Sequence, residues 1–182
     1  MRPVEADSTG PGERDVQTVT PEGAPTRVPI DGVVTHTPVT HVDHRGALFE
    51  IHNLDPALGP EPVIWAYADT VRPGQTKGWA RHEVKVDRYT LIVGELLVLL
   101  HDGRAGSPTH GRTQAVVLST GHVRQIRIPV GVWHLLANIG GEDAHFVNLP
   151  TEPYHHEAPD RILLAWDTDE LPVDVRHYLP RF

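Results

Sequence analysis

Two histidines in this chain stand where a side chain could transfer protons inside a cavity. His134 lies in residues 128–138 (IPVGVWHLLAN), where a strand-like run ends at a tight Pro-x-Gly corner and a second strand begins. His82 lies in an earlier segment that also has a strand pattern. Because imidazole exchanges protons near neutral pH, either ring could remove a proton from a weakly acidic C–H group.

A carboxylate beside such a histidine would orient the ring and raise its basicity. The candidates are Asp167 and Asp169, in the late segment 166–170 (WDTDE), although this segment also fits a solvated acidic turn. His82 itself could be a hydrogen-bonded core residue without a catalytic role. Guanidinium groups bind phosphate through paired hydrogen bonds, but a single arginine is more often a surface residue. The candidates of this kind are Arg45, Arg81, Arg88 and Arg104.

The same residues argue against a metal centre. A metal site at this place in a barrel would require histidines at positions i and i+2, because alternate residues share one face of a strand. Ala80 occupies the first of those positions, and the chain contains no cysteine. His82 and His134 with at most one carboxylate are a poor ligand set. We expect no bound metal and no cofactor.

Composition limits the class of protein. The 182 residues suffice for one domain with a real core, and the net charge of −8 argues against a nucleic-acid or anionic-membrane surface. No apolar run approaches the roughly 20 residues that span a bilayer, and no signal-peptide pattern opens the chain. The absence of cysteine fits a cytoplasmic protein.

The chain divides into a tail and a β-rich domain. Residues 1–28 are rich in Pro, Gly, Thr and acidic residues, which predicts a flexible N-terminal tail. Residues 29–182 contain nine or more short β runs separated by turn signals, which favours a closed antiparallel barrel or jelly roll. One weak helix is predicted over residues 159–166.

Several motifs occur in the order found in one family of nucleotide-sugar epimerases. Taken together, residues 31–175 resemble the dTDP-4-dehydrorhamnose 3,5-epimerase family, and more closely a divergent epimerase-like branch with the patterns GWxxHxxxxDRY and IPxGVWHxxxNIG. The resemblance implies an all-β fold, a cupin-type jelly-roll barrel. The segments that carry it include 43–50 (DHRGALFE), 77–82 (KGWARH), 102–111 (DGRAGSPTHG) and 128–134 (IPVGVWH).

The resemblance also implies roles for individual residues. In the family, a histidine base paired with a late aspartate removes protons next to a C4 ketone, and a tyrosine on the opposite side returns them. His82 matches the base, whereas Asn148 stands near the position of the tyrosine. The family's lysine falls near Asp87 or Arg88, and its late aspartate falls at Thr168, between Asp167 and Asp169. The residues that match or line the substrate site are Arg45, Glu50, Arg81, Arg88, His134 and Asn148.

These observations predict a metal-independent epimerase or isomerase that acts on a dTDP-4-keto-6-deoxy sugar or a similar small carbonyl compound. The expected assembly is a homodimer, because the family lends nucleotide-contacting residues across its dimer. Two alternatives stay open. One is a cupin recruited to another proton-transfer reaction, such as cyclisation or dehydration in natural-product biosynthesis, and the other is a cupin that binds a small molecule without catalysis.

Overall fold

The computed structural model describes residues 15–23, 25–53 and 56–179. Over these residues the predicted all-β architecture is confirmed, and the only helices are two 3-10 turns, Pro56–Leu58 and Val175–His177. The strands are β1 (Val34–His36), β2 (Thr40–Asp43), β3 (Gly46–Phe49), β4 (Tyr67–Val71), β5 (Thr76–Arg81), β6 (Asp87–Val93), β7 (Glu95–Asp102), β8 (Thr113–Ser119), β9 (Gln125–Ile128), β10 (Val132–Asn138), β11 (Ala144–Asn148) and β12 (Ile162–Leu163).

The strands form two five-stranded antiparallel sheets and one separate hairpin. The first sheet has the order β1-β9-β6-β11-β4, and the second has the order β12-β5-β10-β7-β8. Strands β2 and β3 pair only with each other. All of the first fourteen residues of the predicted tail, and residue 24, lie outside the described residues, so the boundary at residue 28 stays a prediction. No helix in the described part of the chain is long and apolar enough to cross a membrane.

Alternation along the strands explains how the two sheets bury apolar surface. In β7, Leu96, Val98 and Leu100 belong to the main core between the sheets, together with Phe146 of the first sheet. The intervening leucines face the other way and join a second apolar cluster. The C-terminal segment covers that cluster, with Leu171 and Val175 packed against Trp79, Leu97, Leu99, Leu135 and Ala137.

The structure differs from the predicted elements near the C-terminus. The helix expected over residues 159–166 is wrong, because Ile162 and Leu163 instead form β12, which pairs with Arg81 and Ala80 of β5. The strand pattern expected around His82 is cut short, because β5 ends at Arg81. Beyond that point the backbone N–H groups of residues 83–85 donate to the side chain of Asp160 rather than to a neighbouring strand.

Candidate active site

A cavity of about 600 Å³ opens between the two sheets, at one end of them. His82 follows β5 of the second sheet, and His134 lies in β10 of the same sheet. Asp87 and Tyr89 come from β6 of the first sheet. Residues of both sheets therefore meet at the buried end of the cavity, and we call the group of His82, Asp87, Tyr89 and His134 the cavity floor. The walls are lined by Trp65, Tyr67, Asp69, Lys77, Gly78, Ala80, Lys85, Leu136, Phe146, Tyr154, His155, Asp160 and Arg161, among others.

Asp87 is the centre of the buried polar group and is only 1% exposed. Its Oδ2 lies 3.1 Å from Nε2 of His82 and 3.4 Å from Nε2 of His134, and it accepts a hydrogen bond of 2.8 Å from the Tyr89 hydroxyl. Its Oδ1 accepts a bond of 2.8 Å from Nδ2 of Asn148. A buried carboxylate with donors on both oxygens is satisfied in its ionised form.

The His82 ring is fixed from both sides. Its Nδ1 donates to the main-chain carbonyl of Asp160, while Nε2 faces Asp87. A carbonyl can only accept, so Nδ1 carries a hydrogen, and a ring that also carries a hydrogen on Nε2 is matched by the Asp87 carboxylate. That is the form a histidine base takes after it has received a proton. The surroundings of His82 therefore stabilise the product of a proton abstraction.

Asp160 holds this arrangement in place. Its carboxylate accepts backbone N–H groups from Glu83, Val84 and Lys85 at 2.7, 3.0 and 2.8 Å. Burial would raise the pKa of the Asp160 carboxyl, but these three backbone donors outweigh burial and lower it. One residue thus orients the His82 ring through its carbonyl and, through its side chain, fixes the loop that leads to Asp87.

The electrostatics of the buried residues follow from burial and from these bonds. Burial would raise the pKa of the Asp87 carboxyl, but the hydrogen bond from His82 and nearby positive charge hold it well below its usual range. Burial lowers the pKa of the His134 imidazole to about 4, although the Asp87 charge acts in the opposite direction. At neutral pH, Asp87 is therefore ionised and His134 is uncharged.

The described residues include one group that could hold a metal ion. Ligand atoms of His82, Asp87 and His134 lie within 4.8 Å of one another, and two histidines with one carboxylate are a known metal-binding set. However, the Nζ of Lys85 lies 3.3 Å from Oδ1 of Asp87 and places a positive charge beside these three residues. A cation would have to displace hydrogen-bond donors from a carboxylate that is already satisfied.

The structure does not bring the predicted aspartates to His82. Asp167 and Asp169 are exposed and line a separate pocket, where Asp167 lies 3.3 Å from Arg176. The physical reason is the C-terminal segment, which packs on the outer face of the second sheet, whereas His82 faces the space between the sheets. The predicted pairing is corrected: the carboxylate next to His82 is that of Asp87.

None of the three predicted substrate-binding arginines, Arg45, Arg81 and Arg88, lines the cavity. Arg88 is 1% exposed, and its guanidinium donates to the main-chain carbonyls of Leu149, Glu61 and Pro62, so its role is structural. Arg81 lies on the face of β5 that is turned away from the cavity, and its guanidinium lies 5.4 Å from the ring of Trp133. Arg104 also lies outside the cavity and binds Asp102.

Other predicted residues have different positions. Arg45 and Glu50 are exposed in and after the β2–β3 hairpin, away from the cavity of this copy of the chain. Arg45 bonds the carboxylate of Asp43, and Glu50 accepts from Asn53 at 2.8 Å. Asn148 is fully buried behind the cavity wall, where it binds side chains that line the cavity rather than the cavity itself.

Sequence reasoning missed Asp87, Lys85 and Asp160. The signal for Asp87 was present, because the DRY segment begins β6 with Asp87 and Tyr89 on one face. Nothing in the local pattern marks Asp160, since its role depends on the main-chain path that brings β12 beside β5.

The two facing antiparallel sheets, with a buried histidine–carboxylate pair in the cavity between them, define a cupin-like fold. The family model for dTDP-4-dehydrorhamnose 3,5-epimerase matches residues 27–180, and the chain belongs to this family. The chain is therefore an enzyme of the sugar-epimerase type.

Two sequence relatives and one solved structure agree with this family assignment. The chain is 33% identical over 138 residues to the probable low-salt glycan biosynthesis epimerase Agl13 of Haloferax volcanii, covering 74% of this chain and 86% of the relative. It is 27% identical over 146 residues to the spore coat polysaccharide biosynthesis protein SpsL of Bacillus subtilis, covering 78% and 93%. A solved dTDP sugar isomerase from Desulfovibrio desulfuricans has a TM-score of 0.74 at 26% identity, covering 80% and 91%.

Proposed function

We propose that this enzyme inverts a carbon next to the ketone of a dTDP-linked 4-keto-6-deoxy sugar, with His82 as the base. The observation that carries the proposal is the His82–Asp87 pair at 3.1 Å, at the floor of a cavity of about 600 Å³. That volume lies within the range of small-molecule sites. The proposal includes a metal-independent reaction and, from the absence of cysteine, a cytoplasmic location.

The proposed reaction begins when Nε2 of His82 takes the proton from the carbon next to the ketone. The electron pair of the broken C–H bond moves onto the ketone oxygen, which becomes an enolate. The negative Asp87 stabilises the imidazolium that forms, because opposite charges 3.1 Å apart in a buried site interact strongly. Lys85 supplies a positive charge at the same floor and replaces the family's lysine as the group that stabilises the enolate.

The residues that line the cavity support binding of a nucleoside diphosphate. Trp65 is 43% exposed and offers a flat apolar surface for a base. Arg161 lines the same cavity and offers positive charge for the diphosphate, and Lys77 also lines it, with its Nζ bound to the carboxylate of Asp69. This combination of an aromatic surface and cations favours a nucleotide-linked sugar over a free sugar.

We further propose a homodimer in which the β2–β3 hairpin docks on a second copy. The hairpin exposes apolar side chains on both of its faces, with Val42 76% and Leu48 63% exposed. A two-stranded hairpin without support is marginally stable in water. Docking would cover it and would carry Arg45 and Glu50 toward the partner's cavity, as the family resemblance predicts.

A second candidate is another proton-transfer reaction on the same kind of substrate, such as a dehydration. It is favoured by Asn148, which stands where the family has its tyrosine, and by Asp87, which stands near the position of the family's lysine. Both reactions begin with the same proton abstraction and differ in the product.

The test is to incubate the purified chain with dTDP-4-keto-6-deoxyglucose in deuterium oxide. We expect deuterium at carbons next to the ketone together with an inverted product. Loss of water from the sugar would support the second candidate. Absence of both deuterium uptake and product, in a protein whose unfolding temperature also does not respond to dTDP, would reject the proposal. A ligand at 100 times its Kd should stabilise the fold by about 2.7 kcal/mol.

A further inference from the structure

An epimerase that inverts a carbon needs a proton donor on the side opposite the base. By the family resemblance, Asn148 stands near the position of the tyrosine that has this role, and an amide is not a proton donor of this kind. We infer that Tyr67 is this donor. The inference rests on the proposed function and adds the group that completes the inversion.

Tyr67 lies directly beside the position where the family's tyrosine is expected. It is the first residue of β4, and Asn148 is the last residue of β11, and the two are cross-strand partners. Side chains of directly opposed residues lie on the same face of a sheet. The phenol of Tyr67 therefore lies one strand away from the position of the family's tyrosine, on β4 instead of β11, and it lines the cavity.

Tyr67 and His82 reach the cavity from different sheets. Tyr67 belongs to the first sheet through β4, whereas His82 follows β5 of the second sheet. A flat sugar enolate held between the sheets would have the imidazole on one face and the phenol on the other. Transfer from one face to the other is the requirement for inversion.

The hydrogen bonds around Asn148 leave the Tyr67 proton free to be donated. Oδ1 of Asn148 accepts the backbone N–H of Arg88 at 3.0 Å, which fixes the orientation of the amide. Its Nδ2 must then point the other way, where it donates to Asp87 at 2.8 Å and to the Tyr67 oxygen at 2.9 Å. Since the Tyr67 oxygen accepts this bond, its own hydrogen is available to a ligand in the cavity.

The other tyrosines fit the role less well. The Tyr89 hydroxyl donates to Asp87 at 2.8 Å, so its hydrogen is already engaged, and the residue is 5% exposed. Tyr154 lines the cavity from a loop, with its ring edge against His156, apart from the Asp87 group. Tyr178 packs on the outer apolar cluster, away from the cavity.

The acidity of Tyr67 suits a donor rather than a base. Partial burial, followed by the charge of Asp87, raises the pKa of the Tyr67 hydroxyl to about 12 although the residue is 38% exposed, so the hydroxyl carries its hydrogen at neutral pH. In the second half of the reaction, the enolate carbon takes this proton and the C4 ketone forms again. The phenolate then regains a proton from solvent, and His82 releases one. Each carbon that is inverted loses one proton and gains one, with no oxidant or reductant.

The test compares Tyr67→Phe with the wild type, using dTDP-4-keto-6-deoxyglucose in deuterium oxide. His82 remains in this variant, so it can still remove a proton and return deuterium to the same face. We expect inversion to slow by roughly 10²–10⁴-fold, while deuterium uptake into recovered substrate stays near the wild-type rate. His82→Asn should lose both signals, and Tyr178→Phe, which changes a hydroxyl outside the cavity, should keep both.

The outcomes separate the two proposals. If the wild type shows neither uptake nor inversion, the proposed function fails and the role of Tyr67 fails with it. If the wild type is active and Tyr67→Phe inverts at the wild-type rate, only the role of Tyr67 is rejected. Equal loss of uptake and inversion in Tyr67→Phe, or loss of inversion in Tyr154→Phe instead, also rejects it. The dTDP-dependent rise in unfolding temperature verifies that each variant is folded.

Discussion

The carboxylate of Asp87 lies 3.1 Å from Nε2 of His82, although the two residues belong to different sheets. The chain crosses from one sheet to the other within the four residues between them. This crossing is held by Asp160, which binds the backbone N–H groups of residues 83–85 and the ring of His82. The His82–Asp87 pair, which we propose as catalytic, is therefore positioned by a residue more than seventy positions away in the sequence.

The first prediction concerns His82. Replacing it by asparagine removes the group that takes the proton, while a polar side chain of smaller size remains. We expect turnover of dTDP-4-keto-6-deoxyglucose to fall by roughly 10²–10⁴-fold, with a much smaller change in dTDP affinity. His134→Asn should cost less, because its imidazole lies farther from Asp87, at 3.4 Å compared with 3.1 Å for His82. Deuterium uptake at the wild-type rate in His82→Asn would show that His82 is a hydrogen-bonded core residue without a catalytic role.

The second prediction concerns stability at acidic pH. The pKa of His134 is near 4 in the folded state and near its ordinary value of 6.5 in the unfolded state. The unfolded chain thus binds the extra proton first, so stability is full above about pH 6.5 and is lost as pH falls toward 4. The expected loss from this residue is about 3 kcal/mol.

Urea unfolding at pH 7 and at pH 4.5, at one protein concentration, measures this loss. His134→Gln should reduce the difference between the two pH values, because the glutamine does not titrate. His110→Gln, at an exposed position, is the matched control and should leave the difference unchanged. An identical pH dependence in His134→Gln and the wild type would contradict the prediction.

Part of this site follows from the sequence and part does not. The Pro-x-Gly corner fixes where β10 begins, and alternation along that strand turns His134 inward, so its position could be predicted. The partner of His82 could not be predicted by the same means. Residues 166–170 contain acidic residues in the expected order, but the apolar Leu171 and Val175 draw that segment to the outer face of the second sheet. Long-range packing of this kind leaves no local signal.

The third prediction concerns metal. His82, His134 and Asp87 are close enough to hold an ion, but Lys85 and the donors on Asp87 compete with it. We expect well under one equivalent of transition metal in protein purified without chelator. Activity should be unchanged after treatment with EDTA. A stoichiometric metal that is lost in both His82→Asn and His134→Asn would overturn this prediction and would indicate a metal-dependent reaction.

The last prediction concerns the β2–β3 hairpin. If its apolar faces dock on a second copy, a charge placed there should separate the copies, because an unpaired charge is costly to bury. We expect light scattering to show about twice the 20.1 kDa chain mass for the wild type, and one chain mass for Leu48→Glu. Val16→Glu places the same charge at an exposed valine outside the hairpin and should leave the dimer intact. Arg45→Ala should keep the dimer but weaken dTDP binding, since its guanidinium would serve the partner's cavity. A wild-type monomer at micromolar concentration would refute the dimer, and unchanged dTDP binding in Arg45→Ala would refute the shared site.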